Sequence, residues 1–138
     1  MTFLAGVQAR AAALGASIVF PETADARTRE AIGELVRRRI VRPIAVLDPA
    51  APESHDAVRA LGVEVRDPQT DAFVSTALDR LLERRREKLT KDRALGLLHT
   101  PLYFADAMVA DGQAAGACEV LPYCSHENAP RCPDKTPQ

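Results

Sequence analysis

The chain has 138 residues, 46% of them apolar and 27% charged, with a formal net charge of −1. That length fits one domain or part of a larger protein, with enough apolar content for a packed core. The balanced charge argues against general nucleic-acid or anionic-membrane binding, and no apolar run reaches the roughly 18 residues a membrane helix needs.

The opening "MTFLAGVQARAAALGAS" is Ala-rich, with Phe3, Leu4 and Val7 spaced for one helical face. It lacks the charged start and solid apolar run of a secretory signal and reads as a docking helix, with a transit peptide as the alternative. "SIVF", at 17–20, is β-branched and aromatic and stops at Pro21, as a buried strand does. Ala31, Ile32, Leu35, Val36 and Ile40 then recur at three- and four-residue steps, predicting a helix over 24–38 with that face inward. Asp25 near its start and Arg37, Arg38 and Arg39 at its end match the helix dipole. "PIAVLD" at 43–48 is a second buried strand, and "ESHDAVRALG" a short helix closed by Gly62. "VEVRDP" at 63–68 is a third strand, with Asp67 set for an Asx turn before Pro68.

The first half therefore reads β-α-β-α-β. Short apolar strands separated by helices form a parallel sheet with right-handed crossovers. Ligands gather at the carboxyl ends of such strands, which here carry Pro21-Glu22, Asp48-Pro49 and Asp67-Pro68. The second half is helical. Val74, Ala77, Leu78, Leu81 and Leu82 make one stripe over 71–88, ending in "ERRREK". Thr90 caps "KDRALGLL", and Thr100-Pro101 restarts a helix that Gly112 ends. On that helix Tyr103, Phe104 and Met108 are expected in the core.

All three cysteines come late. Cys118, Cys124, His126 and Cys132 are spaced C-x5-C-x-H-x5-C. Structural zinc sites favour tighter C-x2–4-C knuckles, so no metal site is expected. A chain without cysteine before Cys118 fits a reducing cytoplasm, so no disulfide is expected either. Pro122, Pro130, Pro133 and Pro137 disfavour regular structure, so the chain divides into an α/β part over 1–117 and an irregular tail over 118–138.

Three stretches carry a family resemblance: "IVFPETADARTREA", "VEVRDPQT" and "TPLYFADAMVADGQAAG", with "LLERRREKLT" between the last two. Their order and spacing over residues 3–116 resemble the phosphate acetyltransferases and phosphate butyryltransferases. The resemblance implies a three-layer α/β unit with a parallel sheet. It would be a partial first domain of a two-domain fold like that of isocitrate and isopropylmalate dehydrogenases. It also implies acyl transfer between coenzyme A and phosphate, with both as substrates and no separate cofactor. Homo-oligomers are common in the family. The family's catalytic base is expected in a second domain, and nothing after Cys118 resembles the family's continuation. The isolated chain is therefore expected to be inactive.

Such a reaction needs a base for the thiol and fixed cations for the charge on the acyl oxygen and leaving phosphate. Arg suits polyanions better than Lys. Arg84 is the best match to the family's functional arginine, with Arg85 one step away; a solvated helix end beside Glu83 and Glu87 is the plain alternative. Arg27 and Glu22 complete the candidate substrate contacts. For Arg27 an ion pair or exposed position near Glu22, Asp25 or Glu30 is the favoured alternative, and Glu22 is open to a role in shaping the turn. Three readings stay open: the N-terminal part of an acyltransferase, a non-catalytic α/β interaction or anion-binding module, or the product of a frameshifted or truncated gene.

Overall fold

The structure is a computed structural model, and it describes residues 2–85 and 88–119. Its elements run α1 (Phe3–Leu14), β1 (Ser17–Phe20), α2 (Ala26–Arg38), β2 (Arg42–Val46), α3 (His55–Arg59), β3 (Glu64–Arg66), α4 (Phe73–Arg84), α5 (Lys91–Leu98), α6 (Pro101–Ala110) and β4 (Gly116–Ala117). The four strands form one all-parallel sheet in the order β3-β2-β1-β4.

Alternation along the strands divides the core in two. Val19, Ile44 and Val46 face α4, α5 and α6, where Phe104 and Met108 are fully buried. Phe20, Ala45 and Leu47 face the other way, against Ile32 of α2 and Val58 of α3. Helices thus cover both sheet faces, giving the expected three layers.

The helices are shorter than the periodicity predicts because local caps outrank apolar spacing. Asp25 is the N-cap of α2, accepting from the Arg27 N–H. Asp71 accepts from the Phe73 N–H and so starts α4 two residues later than expected. Arg39 ends α2 at φ 52°, a left-handed position more often given to glycine. In α2 the inward stripe is Thr28, Ile32 and Leu35; Ala31 and Val36, expected inside, are exposed. Tyr103 also departs from expectation, being 47% exposed while its neighbour Phe104 is buried. The apolar face of α1 is undocked, with Phe3 85% exposed and no buried residue in the helix. The Asx turn at Asp67 is present, and Asp48 makes a second one after β2. Among the described residues no helix is long and apolar enough to cross a membrane.

Candidate functional site

The carboxyl ends of β1 and β2 are tied together. The chain leaves β1 through Pro21 and Glu22, and the buried Thr23 hydroxyl donates 2.5 Å to the Val46 carbonyl. Arg29 reaches back from α2 and donates to the Thr23 and Ala24 carbonyls, 2.8 Å each. The turn that carries Glu22 is therefore held from both sides, and Glu22 itself is exposed.

Arg27 stands in the first turn of α2. Its guanidinium donates to Asp25 at 2.7 Å, which is the ion pair the sequence left open. Hydrogen bonds from the Arg27 side chain and backbone pull the Asp25 carboxyl down to about 2. The hydrogen bond to Asp25, helped by its charge and that of Glu22, raises Arg27 in turn. Both groups are open to water, so this pair orients a side chain more than it stabilises the fold.

Arg84 lies elsewhere. A cleft of about 310 Å³ separates α4 from α6, with Phe73, Leu81 and Leu98 among its apolar lining. Arg84, Tyr103 and Asp106 also line it. Arg84 makes no ion pair with a described residue. Arg85 is the C-cap of α4, its N–H donating to the Leu81 and Leu82 carbonyls. Arg84 and Arg27 thus sit on helices covering opposite faces of the sheet, and the four predicted residues do not converge on one cleft.

Two groups escaped the sequence reading. Arg66, at the end of β3, donates to Asp71, Glu64 and Gln113 and lies 5.9 Å over the Phe104 ring. Gln113 donates to Asp111, which pairs with Arg80 of α4. This polar chain joins β3, the turn before β4 and the helix that carries Arg84. Burial alone would raise Asp71, but Arg66 and the Phe73 N–H outweigh it and hold the carboxyl below its ordinary value. The second group is Thr28, 3% exposed, whose hydroxyl has no partner among the described residues. A polar residue on the same stripe as Ile32 and Leu35 was the legible signal.

Cys118 is exposed and continues β4, its N–H donating to the Val19 carbonyl at 2.9 Å. Cys124, His126 and Cys132 lie outside the described residues, as does most of the tail. Among the described residues no cluster of three metal-ligating side chains occurs.

A parallel α/β unit with arginines and turns at the carboxyl edge of its sheet is suited to anionic substrates. Residues 2–120 match the family model described as phosphate acetyl/butaryl transferase, and the chain belongs to that family. It is 31% identical over 120 residues to a phosphate acetyltransferase of Bacillus subtilis (strain 168), covering 80% of this chain and 36% of that protein. A phosphate acetyltransferase of Staphylococcus epidermidis is 33% identical over 102 residues, covering 72% of this chain and 31% of that protein. The chain therefore spans about a third of the length of the curated relatives it matches. The solved EutD phosphotransacetylase from Staphylococcus aureus superposes with a TM-score of 0.73 at 24% identity, over 88% of this chain and 38% of that one. That likeness shows the fold.

Proposed function

We propose that this chain supplies one wall of a site in which an acetyl or other short acyl group passes between coenzyme A and phosphate. The family match over residues 2–120 carries the reading. In the reaction the thiolate sulfur attacks the acyl carbon, the carbon–oxygen bond to phosphate breaks, and phosphate leaves with the electron pair. A base must take the thiol proton, and none is assigned among the described residues. Arg84 or Arg85 neutralises charge on substrate oxyanions, while Arg27 and Glu22, near the carboxyl end of β1, make any substrate contact apart from them. Among the described residues Arg84 has no ion pair and it lines the cleft between α4 and α6, which supports its part.

The 138 residues alone are proposed not to turn over, and a partner domain or second copy completes the cleft. A reducing, cytoplasmic setting fits a chain whose first cysteine is Cys118. The test is a chimera in which residues 2–118 replace the matching segment of the Bacillus subtilis relative. Thiol release from acetyl-CoA with phosphate is expected from the chimera, falling at least about a hundredfold in R84A or R85A. A folded but inactive chimera overturns the reading, and robust turnover by the isolated chain overturns its one-wall form.

A further inference from the structure

We propose that Arg80 is a positioning residue for the cleft between α4 and α6: by occupying Asp111 it keeps the Arg84 guanidinium open to an anionic substrate. The choice of substrate rests on the acyltransferase reading, which the proposal deepens by saying what leaves Arg84 unpaired.

Arg80, Arg84, Asp106 and Asp111 all line that cleft. Arg80 and Arg84 are four residues apart on α4, so they stand one above the other on the same helix face. A carboxylate that bonds one of them lies within about one helical turn of the other. Asp111 is such a carboxylate. It is the C-cap of α6, at the negative end of that helix dipole, where an anion is disfavoured unless a cation stands beside it. Two arginines could serve it, and Arg80 does. One Asp111 oxygen pairs with the Arg80 guanidinium, and the other accepts from Gln113 at 2.8 Å. Asp106, earlier on α6, is exposed and has no ion pair among the described residues.

The choice of Arg80 is built into the fold. Gln113 accepts from Arg66 at 3.1 Å, and Arg66 donates to Asp71 at 2.5 and 3.2 Å. Asp71 in turn accepts from the Phe73 N–H, at the first residue of α4. One polar chain thus leaves the start of α4, crosses β3 and the turn before β4, and returns to α4 at Arg80, one turn short of Arg84. Asp111 is 19% exposed and fixed by this chain, while Arg80 is 55% exposed. A pair so open to water adds little to the stability of the fold. What it changes is the charge left in the cleft. With Asp111 neutralised, Arg84 keeps its full charge beside apolar walls that include Leu81, Leu98 and Ala107.

The test has two arms. In the 138-residue chain, exchange of the Arg84 Nε proton with water is followed by NMR. R80A, which frees Asp111, is expected to slow that exchange about tenfold, and R80A/D111N to return it to the wild-type rate. In the Bacillus subtilis chimera, R80A is expected to raise about tenfold the same KM that R84A raises, phosphate or coenzyme A, with kcat little changed. D111N, which releases a second guanidinium into the cleft, should lower that KM, and R80A/D111N should recover most of the loss. Losses in both single variants with a larger one in the double would show that the pair only holds α4 in place, and would overturn the proposal. An Arg84 proton that exchanges as fast in R80A as in the wild type overturns it as well. An inactive chimera sinks the transferase reading alone, because the exchange arm still decides whether Arg80 keeps Asp111 from Arg84.

Discussion

The Thr23 hydroxyl and the Val46 carbonyl meet at 2.5 Å where β1 and β2 leave the sheet, with Thr23 fully buried. The bond spans the adjoining ends of two parallel strands and fixes the turn holding Glu22. T23V keeps the side-chain shape but leaves a buried carbonyl without this donor. It is expected to lose about 1–3 kcal/mol, read as a lower urea midpoint at unchanged slope. An unaltered midpoint would show that the carbonyl finds another donor.

Arg66 and Asp71 form the most enclosed ion pair of the chain's described part, with side chains 19% and 15% exposed. The folded Asp71 carboxyl titrates below the ordinary 3.8. A depressed carboxylate contributes stability that is complete above its unfolded value and lost as pH falls through its folded one. The wild type should therefore lose this contribution below about pH 4. D71N should cost about 2 kcal/mol at neutral pH and flatten the acid limb of the stability curve. Parallel curves for wild type and variant between pH 2 and pH 5 would argue that another carboxylate governs that limb.

Much of the fold was open to reading because it rests on short-range patterns. Val19 and Phe20 alternate, Ile32 and Leu35 share a stripe, and Thr90 and Thr100 mark helix starts; each is settled within a few residues. The Arg66–Gln113–Asp111–Arg80 chain is different. Its members come from three separate stretches, and no local spacing relates them. The face of α1 was legible as a period, but not what it docks on: Phe3, Leu4 and Val7 remain exposed in the described chain. At the site, Arg27 was legible as a choice between ligand and ion pair. Only the distance to Asp25 decided which it makes in the ligand-free chain.

Asp25 should report directly on Arg27. Its carboxyl is held at about 2 by the Arg27 hydrogen bonds. R27A removes the side-chain bond and its charge but keeps the backbone N–H that caps Asp25, so the midpoint is expected to return part of the way to the ordinary 3.8, followed by the carboxyl carbon resonance. A midpoint that stays near 2 in R27A would assign the depression to the helix end alone.

Thr28 holds a buried hydroxyl that has no partner among the described residues. Replacing a buried hydroxyl that lacks a partner by a methyl removes a desolvation penalty, so T28V should unfold at higher urea, by about 1 kcal/mol. A destabilised T28V would mean that the hydroxyl has a partner after all.

Phe3 and Leu4 should drive association. They are 85% and 63% exposed on the same helix, and apolar side chains left in water are the usual seed of self-contact. The doubly substituted F3S/L4S chain is expected to scatter less light than wild type at equal concentration. Equal molar masses, both monomeric, would set α1 aside as an association surface.

The pairing of Ile18 with Gly116 joins residues roughly a hundred positions apart. On a ribosome, β1 emerges early and gains its neighbour β2 soon after. Its other edge stays bare until α4, α5 and α6 have been made and the chain has come back to lay down β4. A two-residue strand thus closes the sheet last, and whatever shields the open side of β1 during synthesis governs how much of the protein reaches its folded form.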